Sequence, residues 1–335
     1  MLRIALNGFG RIGRNFVRVL FSDPEAQKNI ELVVINVGKS DPAMAAYSFT
    51  YDTLMGMFPG EVEYKDGALF INSKKIALCS ALTPSECDWK KYTIDWVVDA
   101  TGKFTSRSEA QKHIDAGAQK VLITAPAQGQ DITIIPGVNQ QEFNPAKHTI
   151  VSLGSCTTNA LVPVIAVLRK ECGIESAFVT TVHAYTNSQS LLDVDASAAD
   201  PRRSRSAVLN IIPTTTGAVD VVDQIFPDLV GKIQGLSLRV PVANVSLLDA
   251  VIQLKKTVSI DEVHALFARA AEGNMKGILA LSSQPLVSSD YVGNSYSVVI
   301  DTHLTKVCGA FLQVCGWYDN EWAYSVRLKD FLLAK

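Results

Sequence analysis

The chain has 335 residues, enough for two domains of ordinary size. It is 47% hydrophobic and 19% charged, the balance of a soluble globular protein, and its formal net charge of −2 gives no general attraction for nucleic acid or an anionic membrane. No apolar run reaches the length of a membrane-spanning helix, and the N-terminal text MLRIALNGFG runs from an apolar strand straight into glycines without a cleavable signal pattern.

In chain order, residues 2–7 (LRIALN) read as a short apolar strand, followed by the glycine loop from Gly8 to Gly13. Residues 14–21 place Phe16, Val17, Leu20 and Phe21 at helical spacing. Residues 31–36 form the next strand, residues 44–51 a helix, and residues 67–79 a hairpin turning near Asn72 and Ser73. Further strands are expected at 95–100, 120–125 and 148–153. A helix capped by Ser106 lies between the first two of these. Repeated alternation of strand and helix predicts an α/β fold with a parallel, doubly wound sheet.

The texture then changes. A helix over about 157–171 is followed by β-rich runs at 175–185, 235–254, 294–301 and 306–318. One helix lies among them, with Ser259 as cap and Glu262 in capping-box position. This predicts a second, α+β domain with a mostly antiparallel sheet. A final helix closes the chain. The expected domains are 1–154 and 155–318, with the C-terminal helix at 319–335 packing back on the first.

Gly8, Gly10 and Gly13 follow a strand and open a helix, the context that gives a G-x-G-x-x-G pattern its meaning. The first allows the tight turn, the second lets a pyrophosphate approach the backbone, and the third lets helix and strand pack closely. Such loops are joined by an acidic residue at the tip of the second strand, which holds the ribose hydroxyls. Here that tip reads Asn36, Val37, Gly38, Lys39, with no carboxylate. Valine cannot accept from a hydroxyl or repel a 2′-phosphate, and Lys39 would attract one. A solvated surface lysine is the alternative reading of Lys39. Val37 is expected to be half exposed.

The six cysteines, at 79, 87, 156, 172, 308 and 315, form no C-x-x-C pair and no Cys/His cluster with zinc spacing. No metal site or disulfide framework is expected, and the chain reads as cytoplasmic with reduced thiols. Cys156 stands apart. It follows a strand and a Gly-Ser turn and so begins a helix, where unpaired N–H groups lower a thiol's pKa and can hold an oxyanion. The alternative is a small residue filling a cap position. Among five histidines, His113 and His264 fall on polar, amphipathic helices, His148 in a polar loop and His303 near a strand end. His183 leaves an apolar strand for a polar loop, which suits a base beside the thiol; a satisfied core histidine is the other reading. A nicotinamide fold with a thiol suggests aldehyde oxidation through a thioester.

The texts NGFGRIGRN, ATGKFT, AGAQKVLITAPA, SCTTN, TTVHAYT, NIIPTTTGA, RVPVANVS and WYDNEWAYS occur in this order. They closely resemble the phosphorylating glyceraldehyde-3-phosphate dehydrogenases over essentially the whole length. The resemblance implies an N-terminal Rossmann domain, a catalytic domain, a cytoplasmic homotetramer, and glyceraldehyde 3-phosphate and inorganic phosphate as substrates. It implies Cys156 as nucleophile and His183 as its base. Thr186, Ser188 and Arg239 would hold the substrate's phosphate, and Ser155, Thr157, Arg203, Thr216 and Gly217 the attacking one. Arg11 and Ile12 would lie on the pyrophosphate, and Thr101, Gly102 and Thr124 would flank the cofactor. Asn320 would orient the nicotinamide amide, with Tyr324 near the ring.

The chain departs from its relatives at several points. Leu153-Gly154 stands where Asn-Ala is common, Ala160 replaces a frequent second cysteine, and Ala323 stands where glycine is usual. The loop at 191–205 is longer than its counterpart by about two residues, an insertion a loop tolerates. Its Asp195-Ala196-Ser197 resembles that of photosynthetic members that use NADP. With Val37, this leans the expected cofactor from NAD toward NADP or dual use. The alternatives are erythrose-4-phosphate dehydrogenase, which tends to lack the HAYT text kept here, and a catalytically silent nucleotide-binding interaction protein.

Overall fold

The computed structural model describes residues 1–195 and 200–334. The chain divides into two compact units. The first comprises Met1–Ile134, Gln140–Gly154 and Ser325–Lys335, the second Ile135–Asn139 and Ser155–Tyr324.

The first unit is built on a nine-stranded sheet. Its strands are β1 (Leu2–Asn7), β2 (Ile30–Asn36), β3 (Val62–Lys65), β4 (Ala68–Ile71), β5 (Lys74–Cys79), β6 (Trp96–Asp99), β7 (Lys120–Ile123), β8 (Ile132–Thr133) and β9 (Ile150–Ser152). The spatial order is β3-β4-β5-β2-β1-β6-β7-β9-β8. The run from β5 to β8 is parallel, and only the β3-β4-β5 edge is antiparallel. Parallel strands are covered on both faces, so they are continuously apolar; β6 is buried at all four positions. Helices α1 (Arg11–Ser22), α2 (Pro24–Asn29), α3 (Met44–Thr50) and α4 (Arg107–Asp115) join the strands. The Ser106 cap expected for α4 is present as a full capping box with Glu109. Neither α2, started by Asp23 and Pro24, nor β3 was expected from the hydrophobic pattern, because both are too short to show a period.

The second unit carries an eight-stranded mixed sheet. It comprises β10 (Ile174–Ala184), β11 (Ile212–Thr214), β12 (Ile233–Val240), β13 (Ser246–Leu254), β14 (Leu279–Ser282), β15 (Val298–Asp301), β16 (Lys306–Cys308) and β17 (Phe311–Tyr318). The pairs β10–β12 and β14–β15 are parallel, and the other pairs are antiparallel. Side chains alternate across this sheet. Ala177, Val179, Ala250, Ile252, Leu312 and Val314 point into a core shared with α5 (Cys156–Glu171), α6 (Ala218–Ile225) and α7 (Ile260–Glu272). On the opposite face Phe178, Leu236, Val251 and Phe311 remain exposed. Helix α8 (Trp322–Leu333) ends the chain.

Candidate active site

The glycine loop has the form a dinucleotide requires. Gly8 sits at φ +99°, and a side chain there would meet the backbone of Ala100 and Thr101 at 3.0 Å. A Cβ on Gly13 would lie 2.2 Å from the Gly8 carbonyl oxygen, so helix and strand pack through it. Gly10, by contrast, faces open space and caps α1 without a side-chain hydrogen bond. No side chain thus caps the start of α1, the fit a pyrophosphate needs. Arg11 opens the helix with its guanidinium on Asp52, and Ile12 follows. Thr101 donates its N–H and hydroxyl to Asp99, Gly102 follows at φ +65°, and the Thr124 N–H is held by the Asp99 carbonyl.

The second strand tip differs from expectation. Val37 is buried rather than half exposed, and its N–H is held by the Cys79 carbonyl. The hairpin strand β5 lies alongside β2 and continues its pairing to the tip. Lys39 is exposed. Ala196 and Ser197, half of the cofactor-preference argument, lie outside the described residues.

Cys156 is the first residue of α5. Ser155 caps that helix, its hydroxyl accepting from the Thr158 N–H at 3.1 Å and lying 2.9 Å from the Thr158 hydroxyl. Register delivers the partner. His183 is the penultimate residue of β10 and lies beside Arg239 of the parallel strand β12. The sulfur of Cys156 is 3.6 Å from Nε2 of His183. Nδ1 lies 2.6 Å from the Ala184 carbonyl and 2.6 Å from Nη1 of Arg239, which also donates to that carbonyl at 3.1 Å. With its proton on Nδ1, toward that carbonyl, the ring presents a bare Nε2 to the thiol; with Nδ1 accepting from Arg239, Nε2 carries the proton.

Electrostatics here correct one expectation. The helix start does favour the thiolate, helped by Arg239 and the Thr157 hydroxyl, but burial is the larger effect and pushes the Cys156 thiol up. Burial and then the Arg239 charge pull His183 down from 6.5 to about 3. Burial thus works against charge on both partners. The unfolded chain takes up a proton on His183 near pH 6.5 that the folded chain refuses until about 3. This contribution to stability is complete above 6.5 and is lost as the pH falls. His183→Asn is expected to flatten the fall in melting temperature between pH 7 and about 4.5. A gap between wild type and variant that is constant across that range would contradict a neutral buried imidazole.

The structure brings some expected anion ligands together and leaves others apart. Arg239 feels the charge of Arg203, which is itself paired with Asp200 at 3.0 Å. The hydroxyls of Thr186 and Ser188 lie 2.9 Å apart in an exposed turn. Thr157, however, is buried, with its hydroxyl 3.0 Å from that of Tyr318. Thr216 accepts from the Ala218 N–H, and Gly217 caps α6 with no side chain. Asn320 is fixed by the Ser246 hydroxyl donating to its amide oxygen at 3.0 Å, which turns the NH2 group away. Tyr324 is buried, and burial holds its phenol well above the usual range.

Three residues beside the site were not singled out from sequence. Tyr318 stacks edge-on to His183 and bonds Thr181 at 2.6 Å. Asp319 accepts from the Glu321, Trp322 and Gly293 N–H groups and from Asn244. Both stand inside WYDNEW, whose unusual density of aromatic and acidic residues was the available signal. Val245, just before β13, has φ +69°, a costly conformation for a β-branched side chain. It is buried against Tyr291 and Val299 and precedes Ser246, whose hydroxyl holds both Ala184 and Asn320.

A doubly wound sheet with an open glycine loop, in one chain with a cysteine–histidine pair, defines a thiol-dependent nicotinamide oxidoreductase. Models of the glyceraldehyde 3-phosphate dehydrogenase NAD-binding domain and C-terminal domain match residues 2–107 and 155–320. Glyceraldehyde-3-phosphate dehydrogenase 2 of Bacillus subtilis is 46% identical over 332 residues, covering 99% of this chain and 96% of that protein. The Geobacillus stearothermophilus glyceraldehyde-3-phosphate dehydrogenase is 44% identical over 330 residues, covering 98% and 96%. Glyceraldehyde-3-phosphate dehydrogenase 2 of a Nostoc species is 45% identical over 332 residues, covering 98% and 97%. The chain belongs to the glyceraldehyde-3-phosphate dehydrogenase family, and its first unit binds NAD.

Proposed function

We propose that the chain oxidises D-glyceraldehyde 3-phosphate and transfers the acyl group to inorganic phosphate, giving 1,3-bisphosphoglycerate. The observation that carries this reading is the 3.6 Å approach of the Cys156 sulfur to His183, with Arg239 2.6 Å from the other ring nitrogen. His183 takes the thiol proton through Nε2 as sulfur bonds to the aldehyde carbon. The helix-start N–H groups of α5 face the oxygen that gains charge. Bound NAD supplies the hydride acceptor. His183 returns that proton to the new oxyanion, giving a hemithioacetal hydroxyl, and takes it back as that carbon is oxidised, leaving a thioester. Phosphate attacks the thioester carbonyl, and the thiolate leaves and regains a proton. A substrate phosphate on Arg239 offsets the charge that depresses His183, so the base strengthens when substrate is in place. Thr186, Ser188 and Arg239 suit that phosphate, and Arg203 with the start of α6 at Thr216 and Gly217 suits the attacking one. Ser155 and Thr157 act chiefly through α5, which they cap and anchor.

Initial rates with NAD and with NADP, each with phosphate present and absent, test the reading. Phosphate-dependent reduction of NAD is expected, and a rate indifferent to phosphate would defeat it. NADP use is expected as a second activity, since no carboxylate stands at the β2 tip and Lys39 is exposed there. Lys39→Ala is expected to raise KM for NADP more than for NAD. Because Val37 is buried, Val37→Asp is expected to shift preference toward NAD at a cost in stability. An unchanged cofactor ratio in both variants would leave the valine a neutral substitution.

The homotetramer implied by family membership is supported by the apolar face of the second sheet, where Phe178 is 73% exposed beside Val251 on the neighbouring strand. A second copy is the occupant proposed. Cytoplasmic residence fits the reduced cysteines. Among the described residues, no helix is long and apolar enough to cross a membrane.

A further inference from the structure

His113 was expected on a polar helix face, but it is fully buried, as is Trp89 beside it. The indole N–H of Trp89 reaches Nδ1 of His113 at 3.0 Å, and Nε2 lies 3.1 Å from Oδ2 of Asp99. An indole can only donate, so Nδ1 accepts, and the ring's proton sits on Nε2 and goes to Asp99. The Asp99 carboxylate is saturated. Oδ2 also takes the Asn7 amide at 2.8 Å, and Oδ1 takes the N–H and hydroxyl of Thr101 at 3.0 and 2.6 Å. The string continues. Asn7 accepts from Asn36 at 2.7 Å, and the Asn36 amide oxygen accepts from the N–H groups of Gly38 and Ala81.

Strand register explains the alignment. Asn7 pairs with Asn36 on β2 and with Asp99 on β6, so the three residues form one row across the carboxyl ends of three parallel strands. Ligands of doubly wound sheets bind just beyond such ends. Each member of the row leads into a loop assigned to the cofactor: Gly8 follows Asn7, Val37 follows Asn36, and Thr101 and Gly102 come one residue beyond Asp99.

We propose that His113 is a positioning residue for the dinucleotide: oriented by Trp89, it fixes the Asp99 carboxylate and, through it, the relative positions of all three cofactor loops. His113 touches no reacting atom and lies in the first unit, so its effect falls on cofactor binding and not on the thiol. The proposal rests on the reading of these loops as the NAD site.

The test is NAD titration of the protein without aldehyde, with the alkylation rate of Cys156 in the absence of NAD measured alongside. His113→Leu is expected to weaken NAD binding about tenfold, the scale of losing a hydrogen bond to a buried charge, with alkylation unchanged. His113→Gln, which keeps a donor toward Asp99, is expected to recover most of that loss. Trp89→Phe keeps the ring but not the N–H, and covers the case in which His113→Leu does not fold; a several-fold weakening is expected. NAD affinity unchanged in whichever of His113→Leu and Trp89→Phe folds would overturn the proposal, as would equal losses in His113→Leu and His113→Gln. Failure of wild type itself to bind NAD would instead overturn the reading of the loops.

Discussion

Cys156→Ser is expected to lose aldehyde oxidation by more than roughly 10³-fold while still folding and binding NAD. A serine hydroxyl stays protonated at neutral pH, even opposite a neutral imidazole, so no covalent adduct forms at a useful rate. The fold has no reason to fail. Oxygen is smaller than sulfur, and α5 keeps its capping box from Ser155 and Thr158. Steady-state rates at saturating NAD, with NAD titration as the folding control, check this. Substantial turnover by a folded Cys156→Ser protein would remove the cysteine from the mechanism.

His183→Asn is expected to lower turnover by about 10²–10⁴-fold, the usual worth of general acid–base catalysis. Asparagine approximates the ring's size near Nδ1 and can still donate to the Ala184 carbonyl, but it cannot take a proton from sulfur. The state of the resting pair sharpens the expectation. Since burial pushes the thiol up, the neutral imidazole 3.6 Å away is what makes sulfur a nucleophile near neutral pH. Alkylation of Cys156 by iodoacetamide should therefore slow in the same variant, and its pH dependence should move upward. Turnover and alkylation both at wild-type levels would make His183 a structural residue.

Much of this was legible in the sequence because the signals are local. The glycine loop sits between an apolar strand and a helix. Cys156 follows a strand, a glycine and a capping serine. His183 ends a long apolar strand. What escaped was set by contacts between distant segments. His113 shares α4 with Gln111, Lys112 and Asp115, so its local pattern is polar; its burial comes from Trp89 and Asp99, which approach from a turn and a strand. The Cys156 thiol was expected low from its helix position, yet the loss of solvation around it outweighs the helix start. Val37 was expected half exposed because a strand tip usually is, and it is buried. Helix α6 begins after a threonine run with β-forming neighbours, and its eight residues place Ala218 and Val222 in the core beside β12 and α5, which local propensity does not record.

The central claim is that oxidation passes through a thioester on Cys156 that phosphate then removes. Rapid mixing of the chain with glyceraldehyde 3-phosphate and NAD, without phosphate, followed by acid quench and intact-mass analysis, tests it most directly. The account expects one burst equivalent of reduced cofactor per active site, a matching acyl adduct located on Cys156, and loss of that adduct when phosphate is added. Continuous turnover without phosphate, or a burst with no adduct on Cys156, would contradict it.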